Sequence, residues 1–316
     1  MREIGGYIEL DTYQGHMLYE NGILLNSGRS GLAYLIESKN IKKISIPYFL
    51  CNCIYDTCVK YGVNINKYNI DADFRPLNIT FDNDRWLYLV NFYGQLTPDY
   101  IRSLQKTHSK IIVDNSQAYF DSPIDNVDTI YTCRKFFGVT DGAVLFSDSK
   151  LERKIEMDIS NNRMGYLLGR YEGNASDYYF EYVENNKLFY SQPIKEMSKL
   201  TYNILHAVDY DYVKNKRTEN FSFLNKKLKQ LNLLNISDAL GGFMYPLLVK
   251  DGDLLRKKLI SKKIYVPLLW PNVLKETTNN MIEYYLANNI VPLPCDQRYT
   301  VDDMHYMIGV ILDCLD

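Results

Sequence analysis

The chain has 316 residues, 46% of them hydrophobic and 23% charged, which supports an ample core and excludes a disordered polymer. A formal net charge of -2 leaves no basic excess for nucleic acid or an anionic membrane surface. No apolar run approaches the roughly 20 residues of a membrane span, and Met1-Arg-Glu-Ile-Gly-Gly6 has no signal-peptide core, so a cytoplasmic protein is expected.

The first feature along the chain is Asn26-Ser-Gly-Arg-Ser-Gly-Leu-Ala33, small and polar residues where a helix over 30–38 begins. The free N–H groups and positive dipole end of such a start can hold an anion, although an ordinary helix cap explains them as well. Strands are predicted at 43–47, 63–68, 86–91, 110–114, 129–132 and 143–147, with helices at 52–61 and 98–107 between them. This alternation predicts an α/β fold, a mostly parallel sheet flanked by helices. Ligands in such sheets bind beyond the carboxyl ends of the strands, where Asn91, Asp114 and Thr132 fall.

After Asp148 the pattern turns helical and tyrosine-rich, leading to a long helix that contains 219–231. Strands return at 243–249 and 264–267 around a helix at 254–261. The last helix follows Thr300, a good N-cap with Asp303 in the first turn, and sets Met304, Met307, Ile308, Ile311 and Leu315 on one face. The expected organisation is a large α/β domain over 1–205 and a smaller C-terminal α+β domain over 206–316. The cysteines, Cys51, Cys53, Cys58, Cys133, Cys295 and Cys314, form no C-x-x-C pair, and no histidine sits at ligand spacing, so no metal site is expected.

Two residues stand out together. Asp114 closes the apolar run Ile111-Ile-Val-Asp114, and Lys135 lies about twenty positions later in the polar turn Tyr131-Thr-Cys-Arg-Lys135. Alone, such a lysine is most often a solvated surface charge and such an aspartate a strand-end residue. As a pair they suit pyridoxal 5'-phosphate (PLP). A lysine amine holds the aldehyde as an imine that exchanges readily with an incoming amine, and a carboxylate beside the ring nitrogen keeps that nitrogen protonated. The amine must be neutral to attack, and a neighbouring charge such as Arg134 lowers its pKa. Thr132 and the segment 28–30 add a hydroxyl and a helix start for the phosphate.

The sequence resembles the DegT/StrS-type sugar aminotransferases, members of the fold type I PLP enzymes, from about Gly22 to the C-terminus. The resemblance rests on Ser27-Gly28 with the helix after it, Pro47 and Cys51 before a helix reaching Gly62, and Asn91-Phe-Tyr-Gly-Gln95. Asp114-Asn-Ser-Gln117, Lys135 with Asp141-Gly142, and Pro292-Leu-Pro294 complete it. It implies that Lys135 links to PLP and then moves the proton between substrate and cofactor, while Asp114 contacts the pyridine nitrogen. Gln117 would lie near the phenolic oxygen, Gly28, Arg29, Ser30 and Thr132 would hold the phosphate, and Cys51 would take the place over the ring. The resemblance also implies a homodimer, glutamate as amino donor, and a keto-sugar substrate, nucleotide-linked, for surface polysaccharide or related amino-sugar synthesis.

The sequence departs from the family at several points. Cys51 stands where an aromatic ring usually stacks, leaving Tyr48, Phe49 or Tyr93 to supply one. Ile130 replaces a serine, Thr140-Asp-Gly-Ala143 replaces Gly-Glu-Gly-Gly, and 193–197 offers no counterpart to the asparagine that reaches the partner's phosphate. Two alternatives therefore stay open: a non-catalytic binding or regulatory protein, and an aminotransferase for another small carbonyl compound.

Overall fold

The computed structural model describes residues 4–79 and 82–315. The chain opens with β1 (Ile23–Leu25), α1 (Gly28–Ser38), β2 (Lys43–Pro47), α2 (Asn52–Lys60), β3 (Asn64–Ile70), β4 (Pro76–Leu77), β5 (Arg85–Val90) and α3 (Pro98–Thr107). There follow β6 (Ile111–Asp114), β7 (Asp128–Thr132), β8 (Ala143–Phe146), β9 (Glu156–Met157), α4 (Gly165–Glu172), α5 (Tyr179–Ser191), β10 (Lys195–Glu196) and α6 (Lys199–Leu205). The chain ends with α7 (Tyr210–Leu228), β11 (Met244–Leu248), α8 (Gly252–Ser261), α9 (Val273–Glu276), α10 (Ile282–Asn289), β12 (Ile290–Pro294) and α11 (Val301–Leu315).

Ten strands form one sheet in the order β4-β3-β2-β5-β6-β7-β8-β1-β10-β9. Its centre, β3, β2, β5, β6 and β7, is parallel. β8 then returns antiparallel to β7, and β1 antiparallel to β8. The central strands read as continuous apolar runs, such as Leu87 to Val90 and Ile111 to Val113, because helices cover both faces and leave no solvated side. All six predicted strands of this region are present. The strands without a sequence signal are β1, β4, β9 and β10, which are two or three residues long and too short to show a period.

Two expectations in the C-terminal part need correction. The segment 264–267 is not a strand. Lys263 adopts a left-handed φ of 61° and Ile264 N–H closes back on Leu259 O at 3.0 Å, so Ile264 is the apolar anchor that ends α8. The partner of β11 is instead β12, antiparallel, with Pro292 opposite Pro246. Prolines are tolerated there because the sheet has only these two strands. The long helix starts earlier than its sequence pattern, at Tyr210, and ends at Leu228. In α11 the buried residues are Met304, Met307, Ile311 and Cys314, while Leu315 is exposed, so Cys314 takes the core position expected of Leu315. No helix among the described residues is long and apolar enough to cross a membrane.

Candidate functional site

β6 and β7 end side by side, Asp114 opposite Ile130, so the turns that follow them meet above the sheet. Asp114 is buried, and both carboxylate oxygens are engaged. Tyr88 donates its hydroxyl to one at 2.9 Å and Ser116 its backbone N–H to the other at 2.8 Å. The Lys135 amine donates to the Ser116 hydroxyl at 2.8 Å. Ser116 therefore holds the carboxylate through its backbone and the amine through its side chain, and the two residues singled out in the sequence converge on one turn.

Lys135 lies in a single 3₁₀ turn, Cys133–Lys135, and its side chain is exposed to solvent. Even so, the protein around the amine pushes its pKa down. Burial is the largest cause, Asp114, Cys53 and Cys51 oppose it, and Arg134 adds to it. A group that touches water yet loses hydration sits at the floor of a hollow rather than on a convex surface, and the shift favours the neutral amine. The expected effect of Arg134 is present but secondary to desolvation.

The neighbouring motifs serve to hold this floor in place. Gln117 is buried and accepts the backbone N–H of Tyr93 at 2.9 Å, fixing a turn in which Tyr93 has a φ of 54°. Asn91 caps the same turn by accepting Leu96 N–H at 2.9 Å. Gln95 exchanges two bonds with the Ser237 backbone, at 3.0 and 2.9 Å. Asp141 is fully buried and braces Ser198, the N-cap of α6, accepting the N–H and hydroxyl of Ser198, each at 2.8 Å, and the hydroxyl of Thr201. Gly142 has a φ of +114°, and a Cβ there would lie 3.0 Å from Thr201 Cγ2, so only glycine fits.

At the start of α1, Ser27 accepts Ser30 N–H at 3.2 Å as the N-cap. The Ser30 hydroxyl donates to Asn26 Oδ1 at 2.6 Å, so its proton is already committed. Gly28 opens the helix, and Thr132 is buried at the end of β7. The Arg29 guanidinium lies 4.4 Å from the centre of the Tyr190 ring.

Cys51 caps α2, accepting Cys53 N–H at 3.4 Å. Hydrogen bonding from the Cys53 thiol, helped by that N–H and by the charges of Arg29 and Lys135, brings the Cys51 pKa down to about 6. The Cys53 thiol is pushed well above its usual value. Cys51 thus places a sulfur, not a ring, beside the hollow. Phe49 and Tyr93 cannot replace the ring. Phe49 packs against Phe92 and Trp270 at 5.3 and 4.6 Å, Tyr93 against Phe74 at 5.6 Å, and both are buried. Tyr48 lies beside Lys67, 5.5 Å from its amine. The ring beside the Lys135 amine is Phe243, at 5.4 Å.

Tyr88 and Ser116 were not legible as site residues. Val90 pairs with Asp114, so Tyr88, two residues earlier, shares its face of the sheet one diagonal away. That register, had it been known, would have pointed to Tyr88.

No family model matches the chain, and no curated protein matches it in sequence. Solved structures match it in fold. A DegT/DnrJ/EryC1/StrS aminotransferase from Brucella abortus has a TM-score of 0.62 at 12% identity, covering 92% of this chain and 85% of that one. The chain has the fold of these aminotransferases. PseC from Helicobacter pylori, an aminotransferase involved in the biosynthesis of pseudoaminic acid, gives 0.62 at 14% identity over 92% of this chain and 85% of its own. NtdA from Bacillus subtilis, solved with bound cofactor PMP, gives 0.65 at 12% identity over 92% of this chain and 72% of its own. At these identities the likeness establishes architecture, the mostly parallel sheet flanked by helices of the PLP-dependent aminotransferases.

Proposed function

We propose that the protein is a PLP-dependent aminotransferase that transfers an amino group to a keto sugar. The observation that carries this reading is the junction of the Lys135 amine and the Asp114 carboxylate at Ser116, at the strand ends of an aminotransferase fold. The residues fit the group: a carboxylate fixed by two donors, an amine biased toward neutrality, and a hollow open to solvent. When bound, PLP supplies an electron sink for charge that develops on the substrate carbon.

The chain's own residues do the rest. Asp114, held by Tyr88 and the Ser116 N–H, would contact the ring nitrogen and keep it protonated. Lys135, oriented by the Ser116 hydroxyl, would hold the cofactor and, once free, accept and return the proton at the reacting carbon. Gln117 shapes the floor of the site through the Tyr93 turn, and Gly28, Arg29, Ser30 and Thr132 would hold the phosphate.

On this reading the substrate is nucleotide-linked, glutamate is the donor, and the product feeds surface polysaccharide or related amino-sugar synthesis in the cytoplasm. Residues 1–205 form the cofactor-binding domain and 206–316 a smaller domain that completes it. The chain works as a homodimer. Support comes from exposed apolar side chains on α4 and α5, including Leu168, Tyr171 and Phe180, the last 72% exposed.

Purified protein incubated with PLP should develop an absorption band that borohydride fixes and that Lys135→Ala abolishes, and glutamate should convert it to the amine form. A wild-type protein that forms no such band refutes the reading. The thiol at position 51 and the buried Phe49 and Tyr93 rings favour a second reading, a binding or regulatory module. Its signature is the band without conversion by glutamate.

A further inference from the structure

Two half-buried arginines near Lys135 are incompletely satisfied. The Nε atoms of Arg29 and Arg134 are buried and have no hydrogen-bond partner. Arg134 lies 4.7 Å from the centre of the Phe189 ring and donates to the Asn186 side chain, while Arg29 lies over the adjacent ring, Tyr190. Arg163 also lies over Phe189, at 5.5 Å, but it has a carboxylate, Asp158 at 2.8 Å. Among the described residues neither Arg29 nor Arg134 has one.

The two arginines feel each other. Burial lowers the Arg134 pKa first, and Arg29 lowers it further. The Lys135 amine lies beside this pair, and the carboxylate that acts on that amine is Asp114. Like charges held together out of water are unfavourable unless an anion joins them. Beside Arg29 runs a cavity of about 100 Å³, lined also by Ser30 and Tyr190, with Lys60 and Asp56 at its wall. The Ser30 side chain at the start of α1 is a weaker anion donor than either arginine. The Ser30 proton goes to Asn26, and the side chain of Ile130 packs beneath Gly31, where an added Cβ would lie 3.2 Å from it.

We propose that Arg29 and Arg134 together form a two-arginine receptor for a phosphate monoester, the 5'-phosphate of PLP. Arg134 is the new member of the site, and its fork of N–H donors matches a phosphate dianion better than a single hydroxyl does. The identity of the phosphate rests on the aminotransferase reading, while the anion site itself does not.

The test compares PLP with pyridoxal, which has the aldehyde and lacks the phosphate, on wild type, Arg134→Gln and Arg29→Gln. Dissociation constants are read from the lysine-linked absorption band. The variants should bind PLP at least tenfold more weakly and pyridoxal within about twofold of wild type, a tenfold change being about 1.4 kcal/mol. PLP affinity unchanged in Arg134→Gln, or both ligands weakened alike, overturns the proposal. If Arg134→Gln does not fold, Arg29→Gln and the charge-keeping Arg134→Lys carry the same comparison. If neither aldehyde links to Lys135 in wild type, the aminotransferase reading fails separately. Inorganic phosphate then decides the anion site: it should raise the melting temperature of wild type but not of the variants, and equal stabilisation of all three proteins counts against it.

Discussion

Ser116 serves two partners through two different groups, and substitution can separate them. Ser116→Ala removes the hydroxyl that holds the Lys135 amine and keeps the N–H that holds Asp114. Loss of one neutral-acceptor bond of about 1 kcal/mol should lower kcat by about fivefold with little change in cofactor affinity. Asp114→Asn removes the charge itself and should lower kcat by on the order of a hundredfold or more. Steady-state assays of both variants check the ranking, and equal effects would argue against the assigned roles. Lys135 offers a stability test in the opposite direction. Its pKa is lowered by folding, so the ammonium form works against the folded state at every pH below the ordinary lysine range of about 10.4. In the cofactor-free protein, Lys135→Met should therefore raise the melting temperature at pH 7, and the gain should fade as the pH rises toward that range. Asp114 and Lys135 were legible because a charged residue ending an apolar strand and a lysine in the next strand's turn leave a local mark. Ser116, Tyr88 and Arg134 have partners fixed by strand register or by α5, which the sequence does not display.

Element boundaries followed the same logic. α3 spans Pro98–Thr107 as expected, because Thr97 caps it by accepting Tyr100 N–H at 3.2 Å and Pro98 fits its first turn. α11 was equally readable, since Thr300 and Asp303 cap each other: Thr300 N–H and hydroxyl both reach the Asp303 carboxylate at 2.8 Å. Thr300→Ala should destabilise the protein by about 1 kcal/mol in urea unfolding. The Asp303 carboxyl is held below its usual pKa, first by the Thr300 N–H. Its contribution is present above the ordinary carboxylate pKa of about 3.9 and is lost as the pH falls below that value, so the deficit of Thr300→Ala should shrink in acid. The segment 264–267 was misread because an apolar run of strand length can equally anchor a helix end. β12 was missed because two prolines in five residues argue against a strand unless its neighbours are known.

Across the whole molecule, the late part of the chain grips the early part at the lysine turn. Arg217 on α7 is buried and donates to the carbonyls of Gly242 at 3.0 Å and Phe136 at 3.3 Å, and Gln297 also donates to Phe136 O, at 2.9 Å. Arg217→Met should lower stability by about 3 kcal/mol and also reduce turnover, because the bonds it removes involve a charged donor and secure the residue next to Lys135. Unfolding midpoints and kcat measured together check this, and a stability loss with wild-type kcat would separate the clamp from the site. None of this was readable beforehand, since Arg217 lies about eighty positions from Phe136. The clamp also has a consequence for synthesis. While the chain is still on the ribosome, the first eight strands can pair before residue 297 has emerged, so the sheet can form with its lysine turn still unpinned. A nascent chain stalled short of that glutamine should be cut by protease between 133 and 140, and one released at full length should resist.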